Sequence, residues 1–103
     1  MNGFLNNAKG IFKVENEMGI DPRFALKIVH LSKKYPDTDI AIVGKKKVAD
    51  AKSIIGIMTL AATKGARLII TVNGPDAQTA IKELSHLFKQ DFGNNFLTDP
   101  LRN

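Results

Sequence analysis

The residues best suited to chemistry lie at two predicted helix starts, and the first start is the stretch GIDPRFAL, residues 19–26. Asp21 stands directly before Pro22, and Arg23 follows in the first helical turn. A helix start has unpaired backbone N–H groups and a partial positive charge, so it can hold an anion or be capped by a carboxylate. Arg23 would strengthen an anion site. Asp21 would compete with the anion by supplying the negative charge itself.

The second helix start is Ser53, which follows Lys52 and precedes Ile54. Serine is a preferred N-cap because its hydroxyl oxygen accepts a hydrogen bond from a backbone N–H group of the first turn. Phosphorylation of Ser53 would place about two negative charges where the helix dipole favours them, with Lys52 beside them. Such a modification would change a surface without unfolding the helix. A serine at this position is, in most proteins, only a cap.

Other reactive patterns are missing from the sequence. The chain has no cysteine, which excludes disulfides and cysteine metal sites. Its two histidines, His30 and His86, lie in predicted helices without a partner at metal-ligand spacing, so we expect surface or boundary positions. There is no P-loop, nucleophile–base pattern or pair of catalytic carboxylates. We therefore predict a protein that is not an enzyme and uses no cofactor or metal.

The net charge of +5 favours acidic or phosphorylated partners. The densest basic group, residues 45–47, directly follows Gly44. We interpret it as a solvated hairpin turn rather than a nucleic-acid patch, because no basic recognition helix accompanies it. No apolar run is long enough to span a bilayer, and the N-terminal residues lack the pattern of a signal peptide. We expect a cytoplasmic protein that does not bind membranes.

Hydrophobic periodicity and turn signals predict the elements that position these residues. Four strands are predicted at residues 10–16, 38–44, 45–50 and 66–73, with a tight turn at Gly44. Three helices are predicted: one after Asp21 that fades near Tyr35, a short one after Ser53, and one from Pro75 to residues 92–93. This order predicts an α+β fold, with helices on one face of a four-stranded, mostly antiparallel sheet.

The chain of 103 residues fits one domain, which we place at residues 11–92. An N-terminal extension (residues 1–10) precedes it and a C-terminal extension (residues 93–103) follows it. Both extensions carry apolar side chains, namely Phe4, Leu5, Phe96, Leu97 and Leu101. Either the ends fray, or these side chains pack on the domain or on a neighbour, because leaving them in water is unfavourable. A homodimer through the termini is one expectation.

Two motifs and one longer segment carry a resemblance to a known family: GIDPRFA, KSIIGIMTL and KGARLIITVNGPDAQTAIKEL. They resemble the HPr family, the small histidine-containing phosphocarriers of the bacterial sugar phosphotransferase system. In that family the two motifs read G-I-H-A-R-P-A and K-S-I-M-G-V-M-S-L, and the longer segment is similar to the last strand and helix. The resemblance covers about residues 11 to 92, and the second motif is its most specific part.

The resemblance implies an open-faced β-sandwich, with three helices over a four-stranded antiparallel sheet. It also implies two phosphorylation sites. One is the histidine of the first motif, which is loaded from enzyme I and whose position is taken here by Asp21. In the family, the residue at Arg23 helps to hold that phosphate. The other site is the serine of the second motif, here Ser53, which is the target of the HPr kinase in many Gram-positive bacteria.

The resemblance also implies a partner-binding surface. Ile54, Ile55 and Met58 resemble the patch by which family members dock on enzymes and on the catabolite-control repressor. Phe24 and Lys52 complete the set of partner-binding residues that we expect.

Because Asp21 replaces the histidine, the sequence is similar to the Crh branch of the family, which acts as a serine-phosphorylated co-repressor. We therefore expect a non-catalytic regulator or adaptor, switched by phosphorylation of Ser53. Its expected partners are phosphotransferase-system proteins, the HPr kinase or a transcriptional regulator. Two alternatives stay open, a phosphotransfer component with Asp21 as acceptor and a basic nucleic-acid-binding module.

Overall fold

The computed structural model describes residues 6–15, 17–60, 62–93 and 96–101. Within these ranges the chain forms three helices, α1 (Pro22–Ser32), α2 (Ile54–Thr59) and α3 (Ala77–Phe92). It also forms five strands, β1 (Asn7–Lys13), β2 (Asp39–Val43), β3 (Val48–Asp50), β4 (Arg67–Asn73) and β5 (Phe96–Thr98).

The strands form one sheet in the order β3-β2-β4-β1-β5, and every neighbouring pair is antiparallel. The predicted α+β architecture is confirmed, and so is the β2–β3 hairpin with its turn at Gly44. The strand count differs, because β5 adds a fifth strand beside β1. A segment of three residues has too short a pattern to predict a strand, and β5 forms because β1 offers an unpaired edge.

One face of the sheet is buried under the helices. Along β4, Leu68, Ile70 and Val72 are buried, while Ile69 and Thr71 lie on the opposite, half-exposed face. The two long helices bury apolar side chains three and four positions apart, among them Ala25, Ile28, Val29, Ala80, Ile81, Leu84 and Phe88. This arrangement is the expected open-faced sandwich.

Several element boundaries differ from the prediction. β3 starts at Val48 rather than at residue 45, because the residues from Gly44 to Lys47 form the hairpin turn. β1 spans Asn7–Lys13 rather than residues 10–16. It starts inside the segment assigned to the N-terminal extension, because Asn7 already pairs with Asn73 at the end of β4. The third helix starts at Ala77 rather than at Pro75. The preceding turn is held against Thr38, whose Oγ1 accepts a hydrogen bond from the N–H group of Asp76 at 3.2 Å. The predicted end of this helix is confirmed, since α3 stops at Phe92.

The C-terminal residues 96–101 pack on the domain. The Phe96 ring is partly buried against the core, and Pro100 lies over Gly10 of β1. Leu97 is exposed and Leu101 is half-buried. Phe4 and Leu5 of the other extension lie outside the described residues.

Candidate functional site

Asp21 caps the start of α1. Its Oδ1 accepts a hydrogen bond from the backbone N–H group of Phe24 at 2.9 Å, and its carbonyl oxygen accepts one from Ala25 at 2.9 Å. Pro22 is the first helical residue, where its missing N–H group leaves no helical hydrogen bond unmade. The carboxylate is therefore engaged with the helix start in the way that an anion would be.

The two residues that follow this cap lie in different environments. Arg23 is exposed on the first turn of α1. Phe24 is only 3% exposed, and its ring centroid lies 4.6 Å from that of Phe92 and 4.9 Å from that of Phe88. This burial does not fit the expectation that Phe24 contacts a partner. Phe24 lies four positions before Ile28, on the helix face that packs into the core.

Ser53 caps the start of α2 in the same way. Its Oγ accepts a hydrogen bond from the N–H group of Gly56 at 3.1 Å, and Ser53 is half-buried. A Cβ built on Gly56 would lie 3.3 Å from that Oγ, which is closer than most Cβ contacts. The glycine therefore leaves room for the hydroxyl group at the cost of some intrinsic helix stability.

Lys52 is turned away from Ser53. Its Nζ donates to the carbonyl oxygens of Thr38 at 2.7 Å and of Pro36 at 3.4 Å. Its backbone N–H group donates to Oδ1 of Asp50 at 2.9 Å. Lys52 thus ties the start of α2 to the loop before β2. The expectations that its ammonium group lies beside Ser53 and contacts a partner do not fit this geometry.

The remaining predicted partner-binding residues are exposed on α2. Ile55 is 76% exposed, and Ile54 and Met58 are also exposed, whereas Ile57 on the other side of the helix is 1% exposed. We call the set of Ile54, Ile55 and Met58 the α2 face. Ser53 is the N-cap that directly precedes Ile54, so it lies beside this apolar surface.

A close approach of two loops brings the start of α1 beside the end of α2. Gly19 has a φ of +65°, and a Cβ built there would lie 1.9 Å from the carbonyl oxygen of Ala62. Only glycine tolerates both this backbone conformation and this contact. An ion pair between Lys64 and Glu17, at 3.0 Å, joins the same two loops. Asp21 and the α2 face therefore belong to neighbouring elements of one side of the molecule.

A groove of about 570 Å³ lies beside the β2–β3 turn and is lined by Lys45 of that turn. Lys45 and Arg67 line it together with backbone and apolar atoms, and Leu60 and Leu68 contribute the apolar part. The Nζ of Lys47 donates to the carbonyl oxygen of Thr59 at 3.3 Å. Sequence patterns do not indicate this groove, because its walls come from two separate loops and the start of β4.

The other sequence candidates are not brought together. His30 and His86 are both exposed, as expected. In the described ranges, no group of three or more acidic or histidine side chains is placed to hold a metal ion. None of the helices in those ranges is both long and apolar enough to cross a membrane.

Comparison with known proteins gives the family. A family model described as "PTS HPr component phosphorylation site" matches residues 8–90. The chain belongs to the HPr family. "Phosphocarrier protein HPr" of Xylella fastidiosa is 33% identical to it over 82 residues, which are 80% of this chain and 91% of that relative.

Solved structures of HPr-family proteins have the same fold. The histidine-containing phosphocarrier protein of Mycoplasma matches with a TM-score of 0.78 at 25% identity, over 82% of this chain and 94% of that one. Crh, described as the catabolite repression containing protein of Bacillus subtilis, matches with a TM-score of 0.63 at 26% identity, over 77% and 90%. The Crh structure is described as a dimer with a swapped domain. The family predicted from the two motifs is confirmed.

Proposed function

We propose that this HPr-family chain is a non-catalytic regulator or adaptor of the sugar phosphotransferase system, and that phosphorylation of Ser53 switches its binding. The observation that carries the proposal is the position of Ser53 at the edge of the α2 face. A phosphate on Oγ would lie beside Ile54 and Ile55, so it would change an apolar docking surface into a charged one. Ile57 is buried on the other side of α2, so the phosphate would not alter the core.

The local geometry supports a switch that leaves the fold intact. Ser53 lies at the start of α2, where backbone N–H groups and the helix dipole favour negative charge. Its Oγ accepts a hydrogen bond from Gly56, and phosphate oxygens can accept from the same N–H group. The Nζ of Lys52 is held by two carbonyl oxygens, so we assign the recognition of a phosphate at Ser53 to backbone groups and the partner.

The same reasoning disfavours a phosphocarrier role. We infer that Asp21 stands at the position of the family's phosphorylated histidine. An imidazole nitrogen forms a labile phosphoramidate suited to reversible transfer, whereas a carboxylate would form an acyl phosphate with different geometry. The carboxylate of Asp21 is also engaged as the cap of α1 through the N–H group of Phe24. A phosphoryl group on that oxygen would compete with the cap.

We propose partners that fit this role, namely phosphotransferase-system proteins, an HPr kinase and a transcriptional regulator, in the cytoplasm. The likeness to Crh, whose description refers to catabolite repression, supports a regulator among them. The partner is expected to present an apolar surface to the α2 face, because Ile55 is the most exposed side chain there.

Binding experiments with the immobilised chain test this role. Wild type, Ser53→Asp and Ile55→Glu would be used to capture proteins from an extract of the host, followed by mass spectrometry. We expect Ser53→Asp to change the captured set and Ile55→Glu to abolish it. Capture of the same phosphotransferase-system or regulatory proteins, in the same amounts, by all three chains would contradict the proposal.

A second candidate function is phosphotransfer through Asp21, and the exposed Arg23 is the observation that favours it. An arginine in the first turn of α1 remains available to an anion near Asp21. In that case enzyme I and phosphoenolpyruvate would yield an acid-stable, hydroxylamine-sensitive adduct that disappears in Asp21→Ala. Absence of the adduct under conditions that load an ordinary HPr would exclude this function.

A further inference from the structure

Residues 96–101 lie along the outer edge of β1, and we call them the strap. Within the strap, β5 pairs antiparallel with β1, and Phe96 is opposite Phe12. The family model matches residues 8–90, so the strap lies beyond the part of the chain that the family model matches. Without the strap, β1 would be an edge strand of seven residues.

Pro100 of the strap fits over Gly10 of β1. A Cβ built on Gly10 would lie 2.7 Å from Cγ and 3.0 Å from Cδ of Pro100. The absence of a side chain at Gly10 therefore provides the space that the proline ring fills.

The strap also covers a cluster of phenylalanine rings. The Phe96 ring centroid lies 5.0 Å from that of Phe12 and 6.2 Å from that of Phe88. The Phe88 ring in turn lies 4.9 Å from Phe12 and 4.9 Å from Phe24. Displacement of the strap would expose the Phe12 side of this cluster to water.

An ion pair fixes the strap to α3. Nζ of Lys89 lies 2.6 Å from Oδ2 of Asp99, whose side chain is only 7% exposed. The N–H group of Leu101 donates to the other carboxylate oxygen at 2.9 Å. A carboxylate this well buried is held by specific partners, so these contacts fix the strap in one position on the domain.

We propose that the strap keeps the chain monomeric, and that the surface beneath it binds a second copy of this chain when the strap is displaced. That surface is the edge of β1 with the adjoining Phe12 side of the phenylalanine cluster. The proposal is independent of Ser53 and its phosphorylation. Under this proposal the strap prevents a homodimer, whereas the sequence led us to expect that the termini would form one.

The chemistry of the uncovered surface points to a second copy. An unpaired strand edge offers a row of N–H and C=O groups that another strand edge satisfies. Two identical β1 edges can pair antiparallel about a two-fold axis, which also brings their exposed phenylalanine rings together. The net charge of +5 on each chain opposes this association, so added salt should strengthen it.

The variant Gly10→Ala tests the proposal in the full-length chain, because its methyl group would collide with Pro100. Sedimentation would give the mass over a range of concentrations, and amide exchange would report whether residues 96–101 are released. We expect a monomeric wild type and a Gly10→Ala dimer that tightens with salt. Gly10→Ala combined with Pro100→Gly should return to monomer. Gly44→Ala is the matched control, since its Cβ would meet no atom closer than 3.4 Å.

A chain ending at Gly93 is the second variant, because it cannot seat a strap. We expect it to fold and to dimerise. A released strap with a monomeric mass at every concentration, in either variant, would overturn the proposal. So would a wild type that dimerises as strongly as Gly10→Ala. Unfolding of the shortened chain would overturn it as well, since the strap would then be needed for folding rather than for blocking a partner.

Discussion

Asp21 and Ser53 are both N-caps, each accepting a hydrogen bond from the backbone N–H group three residues later. In Ser53 the capping oxygen is also the atom that a kinase would modify, and the exposed α2 face lies beside it. In Asp21 the capping oxygen already carries the charge that a phosphate would bring. The two positions therefore have the same local structure, but phosphorylation would add charge at Ser53 where Asp21 already carries it.

The capping role of Asp21 is testable through stability. Asp21→Ala removes the acceptor for the Phe24 N–H group, and we expect it to lower the free energy of unfolding by about 1 kcal/mol. Asp21→Asn keeps an acceptor and should cost less, losing mainly the charge–dipole contribution. Urea unfolding at neutral pH measures both. Equal stability of Asp21→Ala and wild type would show that the hydrogen bond contributes nothing.

Two buried serines provide a matched pair. Ser85 Oγ donates to the carbonyl oxygen of Ile81 at 2.7 Å, whereas Ser32 Oγ is buried without a hydrogen-bond partner among the described residues. Ser32→Ala removes an unsatisfied group, so we expect it to be neutral or to stabilise by up to ~1 kcal/mol. Ser85→Ala loses a hydrogen bond worth about 0.5–1.5 kcal/mol. Denaturant midpoints compare the variants, and a lower midpoint for Ser32→Ala would contradict this assignment.

At the scale of elements, α2 has one apolar side for the core and another for solvent. Ile57→Ala should cost about 2–5 kcal/mol, because Ile57 is buried and its truncation leaves a cavity. Ile55→Ala should change stability by less than about 0.5 kcal/mol, since Ile55 lies largely in water. Thermal and urea unfolding of both variants measure the difference. A similar large loss in Ile55→Ala would mean that the α2 face packs on the domain and is not a docking surface.

A hydrogen-bonded pair joins the chain after α1 to α3. The hydroxyl of Tyr35 donates to Oε1 of Glu83 at 2.5 Å, and Nζ of Lys34 lies 2.9 Å from the same oxygen. The hydrogen bond from Tyr35, followed by that from Lys34, lowers the pKa of Glu83 from its ordinary 4.5. The hydrogen bond to Glu83 is the main reason that the pKa of Tyr35 is raised to about 12.

These shifts predict how the contribution of the pair to stability depends on pH. Glu83 has a lowered pKa, so its contribution is present above pH 4.5 and is lost as the pH falls through the folded-state value. Tyr35 has a raised pKa, so its contribution is present below pH 10.0 and is lost as the pH rises toward about 12. Tyr35→Phe should therefore be less stable than wild type between these limits, with a gap that narrows beyond both. An unchanged gap well below pH 4.5 would contradict the pairing.

The sequence predicts those elements whose pattern is long or carries a clear turn signal. The third helix and the β2–β3 hairpin were predicted because apolar spacing and Gly44 specify them locally. The hydrogen bonds of the Lys52 ammonium group could not be predicted, because their acceptors are backbone carbonyl oxygens more than ten residues away in the sequence. The burial of Phe24 was predictable from the sequence, since Phe24 lies four positions before Ile28 on the same helix face.

At the scale of the whole molecule, three features converge on one side of an HPr-family domain. Loop contacts at Gly19 bring the start of α1 to the end of α2, the α2 face is apolar and exposed, and Ser53 adjoins it. At one edge of the sheet, the strap covers β1, and its three-residue strand β5 becomes the new edge strand. The site therefore depends on the packing of neighbouring elements as well as on two short motifs.

The measurement that tests the central claim most directly is the intact mass of the chain after two parallel incubations. With an HPr kinase and ATP, we predict one added phosphate that is absent in Ser53→Ala. With enzyme I and phosphoenolpyruvate, we predict no added phosphate. An ordinary HPr treated in parallel confirms that both enzymes are active. A wild-type chain that stays unmodified by the kinase, but is loaded by enzyme I at Asp21, would contradict the account.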